Sequence, residues 1–238
     1  MCTVSWLHQP GGYHLLCNRD EKRTRGIAAG PRVEEWGGVR YVAPMDRDRG
    51  GTWMAVNEYG VGLCLLNGDT RSHAPGLRSR GLLIPELAWA RCIDDCALLL
   101  SRMDFTCFAR FTLLLLEPES PATIATWDGA RFDLNPARDG HIPLTSSSFD
   151  PEGVRLARVA KFARHTGGRA LEPADLYNFH SCHGSQPDAY SPCMHRADAE
   201  TVSFSWAVVS QSEVRFLYLP AAPCRHTSGE QQILARAA

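Results

Sequence analysis

The order of signals along the chain predicts an α+β fold built mainly on antiparallel sheet. Paired strand-like runs joined by turn residues open and close the chain, and helical periodicity is confined to the stretches between them. The Pro and Gly clusters are short and evenly scattered, with no internal repeat, low-complexity tract or linker, so residues 1–238 read as one domain. At 238 residues, 44% hydrophobic and 21% charged, the chain is long and apolar enough to bury a substantial core.

Residues 3–8 read as a strand, Gln9-Pro10-Gly11-Gly12 as a turn and residues 13–17 as the returning strand. A second hairpin joins residues 53–56 to residues 61–66 through Asn57-Glu58-Tyr59-Gly60. Apolar residues at helical spacing cover 82–103, with Pro85 marking a start and Ile93-Asp94-Asp95 a break. The nearly continuous apolar run 111–116 suits a strand covered on both faces. Residues 123–127 and 130–134 form a third hairpin about Asp128-Gly129. Helices are predicted over 151–165 and 173–180, and a last hairpin over 201–209 and 214–219.

Charge excludes some function classes. Lys and Arg number 25 and Asp and Glu 26, a net charge of -1 that lacks the basic excess of a nucleic-acid-binding domain. No apolar run approaches the roughly 20 residues of a membrane span. The amino terminus has no basic region followed by a long apolar stretch, so no signal peptide is expected. Nine cysteines, an odd number set mostly in apolar runs, suit free thiols in a reducing, cytoplasmic setting.

Cys2 carries the most chemical information. Met1 precedes a small side chain, the usual condition for removing an initiator methionine. Removal leaves a thiol and a free α-amine on one residue. The amine, with a reference pKa of about 7.7–8.0, is a general base near neutrality, and the thiol, at about 8.5, is the nucleophile. The plain alternative is a small residue at a chain start.

Register ties Asn18-Arg19-Asp20-Glu21 to Cys2. With the first turn centred on Pro10-Gly11, Cys2 lies opposite Arg19 whether the loop has two residues or four. A guanidinium there would favour the thiolate, and the Asp20 carboxylate could orient the α-amine. The alternative is a solvated charge cluster continued by Lys22, Arg23 and Arg25. In the second hairpin, a turn centred on Glu58-Tyr59 puts Asn67 near Gly50. Gly50 and Gly51 permit close approach of a backbone or ligand, and Asn67 could offer its amide to an oxyanion; a simple turn Asn before Gly68-Asp69 is the alternative.

Met1-Cys2-Thr3, Cys17-Asn18-Arg19-Asp20-Glu21, Gly50-Gly51-Thr52-Trp53, Val56-Asn57-Glu58 and Leu65-Leu66-Asn67 together resemble the NRDE family, that of transport and Golgi organisation protein 2. Ser191-Pro192-Cys193-Met194-His195-Arg196 through Thr201-Val202-Ser203 is similar to the C-terminal part of its bacterial members. A more distant similarity is to choloylglycine hydrolases and penicillin V acylases. These are N-terminal-nucleophile hydrolases whose αββα sandwich sets two antiparallel sheets between helix layers.

The resemblance implies that Cys2 is the nucleophile, Arg19 lines it, Asp20 holds the α-amine and Asn67 is the side-chain half of the oxyanion hole. Asn18, Glu21, Gly50, Gly51, Trp53 and Ser146 are then expected to contact substrate. Two positions depart from the acylase pattern. Asp20 is adjacent to Arg19 rather than three residues on, with Glu21 next, so either acid or neither holds the amine. Where acylases carry a second Asn, Leu144-Thr145-Ser146-Ser147-Ser148 offers serines.

Other clusters are weaker. His180/His183 and Cys193/His195 have zinc-ligand chemistry but fit no standard zinc spacing, and Cys92/Cys96 read as core packing. The expectation is a cytoplasmic amidohydrolase cleaving a non-peptide C–N bond of a small acylated substrate, with no metal or organic cofactor, no nucleic-acid partner and no membrane span. The alternative is a non-catalytic carrier of haem, acyl-CoA or another hydrophobic small molecule.

Overall fold

The computed structural model describes residues 2–68, 77–138, 142–167, 170–185, 187–225 and 228–237. Six strands come first: β1 (Cys2–Gln9), β2 (Gly12–Lys22), β3 (Ala29–Trp36), β4 (Val39–Met45), β5 (Met54–Asn57) and β6 (Gly62–Asn67). Short helices α1 (Leu83–Leu87) and α2 (Ile93–Leu100) precede β7 (Phe111–Leu116), β8 (Thr123–Trp127), β9 (Phe132–Pro136) and β10 (Leu144–Ser146). Helices α3 (Pro151–Thr166) and α4 (Pro173–Ser181) lead to β11 (Ala199–Val209), β12 (Glu213–Leu219) and β13 (Glu230–Ala235).

The strands form two antiparallel sheets, ordered β10-β1-β2-β11-β12-β13 and β3-β4-β5-β6-β7-β8-β9. Alternation along each strand sorts its side chains between two environments. Cys2, Val4 and Trp6 of β1 join Val56, Cys64 and Leu114 of the other sheet in one apolar layer. On the far side of the second sheet, Leu83, Leu87, Cys96 and Leu100 from α1 and α2 pack with Leu63, Leu113 and Leu115. On the far side of the first, Leu176 of α4 packs with Leu16 and Phe204. The result is the expected αββα arrangement of two sheets between helix layers.

The first hairpin has the expected register, with Cys2 opposite Arg19 and Gln9 opposite Gly12. Pro10 followed by Gly11 at φ +76° is the sequence pattern of a type II turn. β2 runs to Lys22, five residues past its expected end, because β11 pairs along it as far as Lys22 with Ala199. The second hairpin is one residue out of the expected register: Met54 faces Cys64. Gly60, at φ +81°, occupies the left-handed position of a three-residue loop and adds a residue to one side. The ladder with β5 ends at Met54, short of Gly50, and on the other edge of β6 Asn67 pairs with Phe111 of β7.

The expected helix over 82–103 is two helices, and its break falls before Ile93. The amide of Asn57 donates to the carbonyls of Ala88 at 3.0 Å and Ala90 at 2.6 Å, which holds the chain between them in a non-helical path. Asp94 and Asp95 occupy the first turn of α2, where carboxylates offset the helix dipole. Among the described residues no helix is long and apolar enough to cross a membrane.

Candidate active site

Strand alternation decides which candidate side chains share a face. Cys2 opens β1, and Arg19 and Glu21 lie on the same face of β2 at the end of the inter-sheet core. A cleft of about 390 Å³ opens there, and its wall includes Cys2, Arg19, Glu21, Gly51, Trp53 and Asn67. Residues remote in sequence are thus brought together by one hairpin and the facing sheet.

Cys2 is 6% exposed. A hydrogen bond with the Cys17 side chain and then burial push its thiol well above the ordinary value, against the pull of the positive chain terminus. This corrects the expectation that Arg19 favours the thiolate. The Arg19 guanidinium is held by Asp46 at 3.3 Å and lies 4.5 Å from the centre of the Trp53 ring. Asp46 also pairs with Arg25, which reaches Glu21 at 3.2 Å. The acid–base lattice around Arg19 is therefore closed on itself.

The backbone N–H of Cys2 donates to Ser146 Oγ at 3.0 Å. Pairing of β10 with β1 puts Ser146 opposite Cys2. Ser146 therefore touches the Cys2 nitrogen and lines a neighbouring cleft of about 370 Å³, not the one that Cys2 lines. Asn67 and Glu21 stand between the two clefts and line both.

Asn18 and Asp20 face the other side of the sheet. The Asn18 amide donates to the carbonyls of His180 at 2.9 Å and Pro192 at 2.8 Å, so it holds the covering segment in place and lies outside the cleft expected to take substrate. Asp20, 1% exposed, accepts from Thr201 Oγ1 at 2.7 Å and faces Arg158 Nη2 at 3.4 Å. Burial raises the Asp20 pKa, while Arg158 and the positive chain terminus pull it down.

The two glycines divide the role expected of both. A Cβ on Gly51 would sit 2.5 Å from the Gly81 carbonyl carbon, so only glycine lets that backbone approach. Thr52 N–H secures it by donating to Gly81 O at 3.0 Å. Gly50, at φ +68°, turns the chain and has nothing within 4 Å of an added Cβ.

Three groups escaped the sequence reading. Arg158, fully buried on α3, bonds Thr3, Asp20 and the Ala189 carbonyl. Asp46 holds Arg19. Arg80 lines the cleft, donates to Arg110 O at 2.7 Å, and has its pKa lowered by burial while Cys2 and Glu21 oppose that shift. Nothing in the local sequence marked these among the many other charged residues. Among the described residues, Arg19, Arg25, Arg49, Arg78 and Arg80 line the cleft against Glu21 and Asp46, an excess of positive charge.

Solved structures share this fold over nearly the whole chain. A mutant of the conjugated bile acid hydrolase from Clostridium perfringens superposes with a TM-score of 0.61 at 10% identity, over 99% of this chain and 92% of its own. The penicillin V acylase from Agrobacterium tumefaciens gives 0.56 at 12% identity, over 99% and 86%. The Caenorhabditis elegans N-acylethanolamine-hydrolyzing acid amidase ortholog gives 0.60 at 12% identity, over 98% and 100%. The likeness is one of fold, that of N-terminal-nucleophile hydrolases. No curated protein sequence matches the chain significantly. The model of the family described as Transport and Golgi organisation 2 matches residues 1–149, more than half of the sequence, and the chain belongs to that family.

Proposed function

We propose that the protein is an N-terminal-cysteine amidohydrolase that cleaves a non-peptide C–N amide bond in a small acylated substrate bearing an anionic group. The observation that carries this reading is Cys2 at the start of β1, lining one cleft with Arg19 and Asn67, in a fold similar to that of amide hydrolases.

In this reading removal of Met1 frees the α-amine of Cys2. The neutral amine takes the thiol proton, and the sulfur attacks the amide carbonyl to form an S–C bond. The Asn67 amide and a backbone N–H stabilise the oxyanion. Collapse breaks the C–N bond, and the ammonium returns its proton to the departing amine. The same amine then activates a water, which breaks the S–C bond and releases the carboxylic acid. A thiol held protonated at rest suits a site where proton removal waits for substrate. In this reading Ser146 Oγ, which accepts from the Cys2 backbone N–H, positions that nitrogen once Met1 is removed.

The arginine excess supports an anionic substrate group, and Arg80 lines the same cleft as Cys2. A panel of N-acyl amides with and without a carboxylate tests this on the processed protein. Carboxylate-bearing amides are expected to turn over faster at low concentration, and Arg80→Gln to raise KM for them alone. Equal turnover of uncharged amides by the unaltered protein would remove the anionic preference.

A second reading, non-catalytic carriage of haem, acyl-CoA or another hydrophobic small molecule, draws on the same protonated thiol, which is slow to attack an acyl group. A haem Soret band in the protein as purified, with Met1 retained, favours the carrier.

A further inference from the structure

Far along the chain, on the outer side of the first sheet, soft ligand atoms from three separate stretches meet. His183 follows α4, Cys193 and His195 lie on the segment leading into β11, and Cys224 lies in a 3-10 turn after β12. Donor atoms of His183, His195 and Cys224 all lie within 4.8 Å of one another. His195 Nε2 is 3.1 Å from Cys224 Sγ and 3.5 Å from Cys193 Sγ. Tetrahedral zinc, with bonds of about 2.0–2.3 Å, sets its ligand atoms about 3.3–3.8 Å apart. The His195–Cys224 and His195–Cys193 spacings already lie close to those values, and His183 has to draw in toward them on binding.

The surroundings orient these groups as ligands. His183 Nδ1 lies 2.8 Å from Gly184 O, which leaves Nε2 for a metal. His195 Nδ1 faces Glu200 at 3.8 Å and Arg225 Nη2 at 3.5 Å, and Glu200 is itself held by Arg225 and Arg23, each at 2.9 Å. A carboxylate behind the imidazole is a common outer partner of zinc-binding histidine. The backbone is fixed as well: Cys193 N–H donates to Cys182 O at 3.1 Å and His195 N–H to Pro187 O at 3.0 Å. Both cysteines are free thiols.

We propose that His183, Cys193, His195 and Cys224 form a structural site for one zinc ion. Two thiolates and two imidazoles are a donor set that selects zinc over magnesium or calcium. On binding, the two thiols release their protons to water and no electron moves. The ion clasps the segment that covers β2, the same segment whose carbonyls Asn18 holds. The site lies behind the sheet from the Cys2 thiol and is independent of the hydrolase reading. Its ligands lie on three segments, so no linear spacing motif reveals it.

The test uses the reduced, metal-free full chain titrated with zinc against a chromophoric chelator, and with cobalt as a spectroscopic probe. One equivalent is expected to bind at about 10 nM or tighter, with thiolate-to-cobalt charge-transfer absorption. Cys224→Ser and His195→Ala should each weaken zinc about a hundredfold or more, and Cys92→Ser should leave it unchanged. His183→Ala, at a half-buried position, keeps the test readable if Cys224→Ser does not fold. Absence of the charge-transfer band, binding of less than one equivalent, or equal loss in Cys92→Ser would overturn the proposal.

Discussion

Cys2 is surrounded by groups that restrain it. Cys17 and burial hold its proton on, Ser146 fixes its nitrogen, and Arg19 is occupied by Asp46 and Trp53. The proposed chemistry then depends on Asn67 at the moment charge develops on oxygen. Removing one oxyanion donor costs about 3–4 kcal/mol of barrier. Asn67→Ala is therefore expected to lower kcat about a hundredfold or more with little change in KM. Cys2→Ala should abolish turnover, and Cys2→Ser leave a trace. Steady-state kinetics on a substrate found by screening decides this, and full turnover by Cys2→Ala refutes the mechanism.

At the scale of elements, the β1–β2 hairpin was legible because a Pro-Gly turn sets one register, and that register alone places Arg19 opposite Cys2. The second hairpin was misread by one residue because Gly60 is a bulge position, and a bulge leaves no mark on hydrophobic alternation. β3 and β4 were missed although Gly37-Gly38, both at positive φ, make the turn between them. Glu34, Glu35 and Trp36 are exposed on that edge strand and hide its alternation. The partner of Asp20 was not legible in the sequence: Arg158 arrives from α3, 138 residues away. Removing one member of a buried ion pair strands the other charge and costs about 3–5 kcal/mol. Arg158→Leu should lower stability by about that amount, and Asp20→Asn with Arg158→Leu by clearly less. Chemical denaturation of both variants measures it, and equal losses would show that the pair is not coupled.

The whole molecule has a pH dependence set by what the helix layer seals in. His180 of α4 is buried against the first sheet, bonded to Ser5 Oγ at 2.8 Å, and burial with nearby Arg158 lowers its pKa to about 3. An exposed histidine in the unfolded chain takes a proton near its reference value of about 6.5. Between these values the unfolded state binds the extra proton, so stability rises with pH across that window and is lost as pH falls through it. The slope approaches about 1.4 kcal/mol per pH unit. His180→Gln should flatten the dependence between pH 6 and pH 3, read as Tm against pH. An unchanged slope would place the acid sensitivity elsewhere.

The most direct measurement is intact-mass spectrometry of the protein before and after exposure to a reactive acyl donor. The proposed mechanism predicts a starting mass short of one methionine and a gain of a single acyl group, mapped to Cys2 and absent in Cys2→Ala. A chain that keeps Met1, or one that is acylated to the same extent without Cys2, contradicts it.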